Sequence, residues 1–502
     1  MSIQLVIAEK PSVARSIAGV IGADKKQDGY FEGNGYLVSW CIGHLVSLAD
    51  AGAYDERFKK WRYDDLPILP QEWQYIIPDE KKKQFEVLRS LMELPDVDGL
   101  VCATDAGREG ELIFRFVYQM AGCKKPFKRL WISSMEDAAI LEGFQHLRPG
   151  ADYDALYQSA LCRARADWLV GINATRLFSI LYHKTLTVGR VQTPTLKMLV
   201  DRESQIGNFK KEKYHVVHIA AGGMEAASER FSSADDADAT KTACARAQAV
   251  CVSVKREKKT EQPPRLYDLT TLQREANRLF GFTAKQTLDY AQQLYEKKCL
   301  TYPRTDSRYI GRDVAETLKE RLEACAVGPY RKLAGKLLLQ PIRTNKSFAD
   351  DSKVSDHHAI IPTEQPVILA QLSVDERKIF ELVVRRFLAV LYPPYEYEQT
   401  KITLECEGET FFAEGNVPLN RGYKEVTAPD GDESGKVFPA LKEGEVIRDF
   451  SLKKTEGKTK PPARFTEGTL LKAMENPVKY MQQKDAKAAK TLQETGGLGT
   501  VA

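Results

Sequence analysis

The chain has 502 residues, 43% of them hydrophobic and 28% charged, a globular balance at a length that exceeds one hydrophobic core and calls for about three or four domains. Its 73 Lys and Arg stand against 69 Asp and Glu, and a net charge of +4 argues only weakly for a polyanionic partner, so the placement of charge must carry that case. No run approaches the roughly 18 apolar residues of a membrane span, no basic leader precedes the first strand-like run, and the nine cysteines form no C-x-x-C pair. A membrane protein, an export signal and a zinc ribbon are thereby set aside, and a cytoplasmic chain with free thiols is expected.

Residues 3–8 are an apolar strand run ending in Glu9-Lys10-Pro11-Ser12. A helix pattern follows, with Ser12 as its cap and Val13, Ile17, Val20 and Ile21 near one face. A carboxylate and an ammonium thus stand at the carboxyl end of a strand, where open α/β sheets bind ligands. Further strands are predicted over 36–42, closing on Gly43-His44-Leu45, over 100–104 and over 129–133, with a helix over 112–120. Such alternation across residues 1–150 predicts a parallel or mostly parallel sheet. The strand at 100–104 runs into Asp105-Ala106-Gly107-Arg108-Glu109-Gly110-Glu111, so Asp105, Glu109 and Glu111 share one turn that Glu9 can neighbour. Carboxylates converging on a phosphate repel it unless a divalent cation intervenes, and oxygen-only donors suit Mg²⁺. Taken singly, Glu109 or Glu111 is better explained as an acid complementing a helix N-terminus. The G-x-x-x-x-G-K-[ST] phosphate loop is missing, since Gly457-Lys458-Thr459 has Leu452 where the first glycine is needed. That excludes an ATP-driven engine.

From 151 to 200 the pattern is helical, punctuated by Arg163, Arg165, Asp167 and Arg176. It breaks at Val188-Gly189-Arg190-Val191-Gln192-Thr193-Pro194, where Gly189 permits close backbone approach and Arg190, Gln192 and Thr193 offer donors suited to sugar and phosphate oxygens. Residues 213–222 and 249–256 alternate as strands, with a polar, solvent-facing elaboration between them, and Pro263-Pro264 marks a boundary. Helical periodicity over 270–298, broken at Gly281 with Thr283 as a cap, delivers Tyr302 at its end. Pro303 fixes its own φ and pushes Tyr302 out of the helical region. Arg304 and Arg308 carry forked donors that grip phosphate oxygens, and Asp306 can orient one of them. By itself this stretch reads as a polar turn around one of 21 tyrosines, although a tyrosine so placed can attack a phosphodiester. Helices continue to about 390, interrupted by Asp356-His357-His358-Ala359-Ile360-Ile361-Pro362-Thr363, which holds two of only seven histidines. A structural pair is the default there; contact with a phosphate or orientation of a nucleophile is the alternative. Strands are predicted again over 401–406, 409–413 and 423–426, then a loop over 428–436, a mobile basic connector over 453–460, and a helix over 470–474 capped by Thr466. Two β segments flanking a helical insertion predict one β domain of discontinuous sequence, with the Tyr302 unit inserted into it and able to swing.

In order along the chain, Ile7-Ala8-Glu9-Lys10-Pro11-Ser12, Ala103-Thr104-Asp105-Ala106-Gly107-Arg108-Glu109-Gly110-Glu111, residues 188–196, residues 300–310, residues 356–363 and Lys460-Pro461-Pro462-Ala463-Arg464-Phe465 resemble the motifs of type IA DNA topoisomerases, most of all the bacterial topoisomerase III branch. Six motifs in family order over essentially the whole length are far more specific than any one of them. The resemblance implies a multidomain chain of mixed α/β, α and β parts. Its pieces are a Toprim α/β metal domain (1–150), a helical single-strand-binding domain (151–212 and 462–502), a β arch (213–265 and 394–461) and a helical domain carrying the tyrosine (266–393), closed into a toroid. It implies ATP-independent cleavage of one DNA strand through a 5′-phosphotyrosyl intermediate, strand passage and religation, with relaxation of negative supercoils and decatenation as outcomes.

Carried over residue by residue, Tyr302 matches the nucleophile, Arg304 the neighbour that stabilises charge on the scissile phosphate, and Lys10 the general acid for the leaving 3′ oxygen. Glu9 matches the active-site carboxylate and, with Asp105 and Glu109, the Mg²⁺ ligands. Arg163, Arg190, Gln192 and His357 fall where the family contacts the single-stranded backbone, with Arg165, Thr193, Asp306 and His358 beside them. The implied partners are single-stranded DNA, negatively supercoiled or catenated duplex, and a RecQ-like helicase or single-strand-binding protein; a monomer without membrane contact is expected. Two departures stand out. The middle acid of the D-x-D-x-E pattern is Gly107, so fewer carboxylates should hold Mg²⁺, and the chain stops at Ala502 where relatives continue, so a C-terminally truncated member is expected. Two alternatives are a noncatalytic or cleavage-only single-strand-binding fragment of the same fold, and a Toprim-type nuclease or primase, which has no use for Tyr302.

Overall fold

A computed structural model describes residues 3–132, 135–354, 357–428, 438–480, 486–494 and 497–499. Ser133 at the end of one expected strand, Asp356 before the histidine pair, residues 429–436 of the expected loop, and Gly496, Thr500, Val501 and Ala502 of the terminal stretch lie outside the described residues.

The N-terminal sheet has seven strands in the order Lys25–Lys26, Tyr30–Gly33, Tyr36–Trp40, Ile3–Ala8, Val97–Ala103, Phe127–Arg129 and Arg148–Pro149. We label Ile3–Ala8 β1, Tyr36–Trp40 β2, Val97–Ala103 β3 and Phe127–Arg129 β4. These four run parallel, and the outer strands are antiparallel. Leu5, Val6, Ile7 and Ala8 of β1 and Leu100, Val101 and Cys102 of β3 are wholly buried, the mark of strands covered on both faces. Ala8 lies opposite Ala103 in register. The residues that follow, Glu9-Lys10 and Thr104-Asp105, therefore leave the sheet side by side at its carboxyl edge.

Helix α1, Pro11–Ile21, begins with proline in its first turn and ends at Gly22 with φ 79°; Lys10, not Ser12, occupies its N-cap, without a side-chain cap bond. Helix α2, Arg108–Met120, starts four residues before the expected 112. Glu111 on its first turn is fully buried, bonded by Arg115 Nε at 2.9 Å and in ion-pair contact with Arg129 Nε at 3.1 Å without hydrogen-bond alignment. It is a core acid rather than a surface complement to the helix dipole.

The second sheet is antiparallel, in the order Val446–Ile447, Ala249–Glu261, Tyr395–Cys406, Glu409–Asn420, Met224–Ser228, Lys213–Ala221 and Ser451–Lys458. Glu261 pairs with Tyr395, so the chain leaves this sheet after 261 and returns at 395 on adjoining strands. Three sequence expectations are corrected here. The basic run at 453–460, expected as a mobile connector, mostly lies in strand Ser451–Lys458, paired along Lys213–Ala221. The stretch at 228–249, expected to face solvent, contains helix Ala234–Cys244, capped by Ser233 and burying Ala237 and Cys244 against the sheet. Residues 423–426, expected as strand, fall instead on a single helical turn, Lys424–Thr427, with Tyr423 at its N-cap.

Between the two adjoining strands, helices Leu269–Phe280, Ala284–Glu296 and Val374–Leu391 surround the largest apolar core. Their ends follow local chemistry. Asp268 caps the first and Gly281 (φ 69°) closes it; Thr283 with Gln286 and Ser373 with Glu376 form capping boxes on the other two. No described helix is long and apolar enough to cross a membrane.

Candidate active site

Tyr302 stands on an irregular segment that regular structure does not hold, so other bonds must fix it. The Thr301 amide donates to Ile361 O at 3.0 Å, the Thr301 hydroxyl donates to Ala359 O at 3.1 Å and accepts from the Ile361 amide at 3.0 Å, and Thr305 Oγ1 donates to His357 O at 3.3 Å. The tyrosine motif and the histidine motif are thus laced into one unit. The His357 ring lies 4.4 Å from the Tyr302 ring, and Tyr295, the penultimate residue of helix Ala284–Glu296, meets the Tyr302 ring edge-on at 5.4 Å.

This unit is docked on the carboxyl edge of the N-terminal sheet. The Tyr302 hydroxyl donates to Asp105 Oδ2, and the Asp105 amide donates to Glu9 Oε2 at 3.3 Å. Tyr302 is 6% exposed and Glu9 7% exposed, so the phenol and the Glu9 carboxylate are closed off together. Burial, then the Asp105 charge, pushes the Tyr302 hydroxyl well above the usual phenol range, while Arg304 pulls it down. Burial and Asp105 push Glu9 up to about 7, against the opposing pull of Lys10 and Arg304. His357 is lowered to about 4, first by burial and then by His358, and is neutral in this setting. Nε of Arg304 and Nδ1 of His357 are enclosed and have no partner among the described residues. A small cavity of about 20 Å³ opens here between Thr104, Asp105, Tyr295, Tyr302 and His357.

The carboxylates do not all converge. Glu109 is engaged by Arg163 at 3.5 Å and His44 at 3.8 Å. Among the described residues no group of three His, Cys, Asp or Glu side chains is arranged to hold a metal ion. What remains is the Glu9 and Asp105 pair, adjacent, oxygen-only and mutually repelling, as Glu9's raised affinity for its proton records. That donor set fits Mg²⁺, which uses one or two carboxylates and keeps several waters.

The expected DNA contacts fall in two groups. A row of opposite charges runs from Glu109, beside His44, through Arg163 and Asp167 to Arg190, whose Nε lies 2.8 Å from Asp167. Arg165 stacks over Trp73 at 5.1 Å. Thr193 closes the Gly189 turn, accepting the Gly189 amide at 3.1 Å, and Gln192 is exposed at the start of helix Gln192–Gly207. The second group lies in the tyrosine unit. His358 is buried, with Nδ1 2.8 Å from Ala359 O, and the charges acting on it are Arg321, Asp313 and Glu136, so the arrangement makes it a core histidine rather than a DNA contact. Asp306 is exposed, and of the two arginines it was expected to be able to orient, Arg308 is bonded by Asp268 and contacts Glu475 at 3.8 Å.

Sequence reasoning missed His44, Arg129 and Tyr295. His44 had one usable signal, since it follows β2, a neighbour of β1. Arg129 had none: it is wholly buried and donates to the carbonyls of Cys102, Thr104, Leu130 and Asp105 beneath the acidic turn.

A parallel sheet with carboxylates at its edge and a buried tyrosine presented by a separate helical unit defines a class of split phosphoryl-transfer site. Sequence comparison gives the class its family. The Toprim domain profile matches residues 4–135, and the DNA topoisomerase profile matches residues 151–502. The chain is 48% identical to DNA topoisomerase 3 of Bacillus licheniformis and 47% identical to that of Bacillus subtilis, in both cases over 100% of this chain and 71% of the relative. It superposes on full-length topoisomerase I from Thermotoga maritima with a TM-score of 0.70 and 25% identity, over 98% of this chain and 78% of that one. The chain belongs to the type IA DNA topoisomerase family and carries its Toprim domain.

Proposed function

We propose that the chain cleaves one DNA strand with Tyr302, holds the 5′ phosphate covalently, and reseals the strand after passage of another. The hydrogen bond from Tyr302 to Asp105 beside Glu9 carries this reading, because it joins nucleophile and carboxylates from opposite sides of a domain boundary. The Tyr302 oxygen forms the new bond to phosphorus as its proton passes to Asp105, the bond to the 3′ oxygen breaks, and Lys10 supplies the proton that oxygen takes. The reverse steps reseal the strand. Bond energy is conserved in the phosphotyrosyl ester, so no nucleotide is consumed.

Arg304, with an unpartnered Nε, stabilises charge on the phosphate, and Asp105 accepts the Tyr302 proton's hydrogen bond. Mg²⁺ held by Glu9 and Asp105 would neutralise the developing phosphoryl charge. Glu109 can join only by leaving Arg163 and His44. Arg163, Arg165, Arg190, Gln192, Thr193 and His357 bind the single-stranded backbone, largely by charge. Negatively supercoiled and catenated duplex are the substrates, and the protein works as a cytoplasmic monomer, alone or beside a helicase or single-strand-binding protein. A noncatalytic fragment, a nuclease or a primase makes no use of Tyr302. The test is a denaturing gel of the protein with single-stranded DNA and Mg²⁺: a covalent adduct that Tyr302→Phe abolishes supports the reading, and absence of adduct from intact protein overturns it.

A further inference from the structure

Closed over its nucleophile, the site admits no DNA until the tyrosine unit moves off the Toprim domain, so whatever holds the two together governs the reaction. Beyond the Tyr302–Asp105 bond and the packing of Tyr295 and Tyr302 against Val13, Ile17, Ala103 and Met135, a polar side-chain cluster also spans this boundary among the described residues. Glu136, 9% exposed, stands at the N-cap position of helix Asp137–Gln145 of the Toprim side, without a side-chain cap bond. Its Oε1 accepts the Glu364 amide at 2.9 Å, and its Oε2 lies 3.7 Å from Arg321, which bonds Glu364 at 2.8 Å. The next residue, Asp137, bonds Lys298 of the tyrosine unit.

Lys298 is the telling member. It follows helix Ala284–Glu296 with φ 58°, the left-handed conformation that glycine or asparagine adopts at least cost. Its carbonyl accepts Thr363 Oγ1 at 2.5 Å, which fixes the backbone four residues before Tyr302. A lysine here carries backbone strain that glycine would not. The side chain's visible return is the ion pair to Asp137 on the opposite domain.

We propose that Glu136 and Asp137, with Lys298, Arg321 and the Glu364 amide, form a clasp that sets how readily the tyrosine unit leaves the Toprim domain. The inference rests on the proposed strand-passage reading for its use, but the contact itself is tested without DNA. The solvent-screened pair Lys298–Asp137 tunes the clasp with ionic strength. The enclosed Glu136 acts as its anchor, since its removal leaves the Glu364 amide unpaired and takes one of two acids from Arg321.

Hydrogen exchange of the full chain, followed in peptides covering residues 101–107 and 299–304, reads the opening. Lys298→Gly and Asp137→Asn should each speed exchange about two- to fivefold, the range of an exposed ion pair. The double variant should add nothing further, because both remove one contact. The swap Lys298→Asp with Asp137→Lys should return exchange toward wild type, and Glu136→Ala should exceed about tenfold. Unchanged exchange in both single variants, or additive effects in the double, overturns the clasp. Lys298→Gly also relieves the left-handed strain, so a purely structural role predicts slower exchange there, and that result overturns it as well. If exchange responds but no variant alters plasmid relaxation, the clasp stands and its role in the proposed reaction fails.

Discussion

Tyr302, Asp105 and Glu9 form a chain of hydrogen bonds in which the phenol is protonated and enclosed. In the proposed reaction its activation requires that this proton pass to Asp105 as a phosphate enters beside Arg304. Replacing Asp105 with Asn keeps the shape and removes the charge. Adduct formation should fall by about 100-fold or more while single-strand affinity, read by fluorescence anisotropy, changes little; an equal loss of both would assign Asp105 to binding. The motif strings exposed Tyr302, Arg304, Glu9 and Asp105, since each sits at a strand end or a proline-fixed turn that sequence marks. They did not expose the partner choice of Glu109, because Arg163 reaches it from a helix more than 50 residues away. Nor did they show that His358 points into the core while its neighbour His357 covers the nucleophile.

At the scale of elements, the β3-to-α2 turn is the most constrained piece. Thr104 Oγ1 donates to Gly110 O at 2.8 Å, and a Cβ on Gly110 would come within 2.1 Å of Asp105 O. Gly110→Ala, which helix propensity alone would favour by about 1 kcal/mol, should instead destabilise by roughly 1–3 kcal/mol. Urea unfolding followed by the Toprim tryptophans decides the sign. Gly107, by contrast, has extended backbone (φ 172°) and no atom within 4 Å of an added Cβ. Gly107→Asp should fold normally and lower the Mg²⁺ concentration for half-maximal cleavage several-fold; no change would mean that the position does not reach the cation. Strand and helix periods made the parallel sheet and the three capped helices legible. The basic run at 453–460 misled because its structure comes from pairing across more than 200 residues, as between Lys213 and Lys458, and the polar run at 228–249 because its helix buries only Ala237 and Cys244.

For the whole molecule, the adjoining exit and return at Glu261 and Tyr395 give the tyrosine unit a narrow tether to the β sheet. Its other attachments combine polar contacts, such as Arg308 and Arg274 to Glu475, with the packing of Tyr295 and Tyr302 on the N-terminal domain. The arginine row that should receive the strand is balanced by Glu109 and Asp167, so DNA phosphate must displace acids to bind. Arg190→Ala should weaken single-strand binding and lower the slope of log affinity against log salt by about 0.7, the release of one counterion. An unchanged slope would place Arg190 off the DNA path. The most direct measurement of the central claim is relaxation of negatively supercoiled plasmid with Mg²⁺ and without ATP, intact chain beside Tyr302→Phe. Stepwise relaxation by the intact chain, absent in the variant, is the predicted result. Relaxation that persists in Tyr302→Phe, or none from the intact chain, would contradict it.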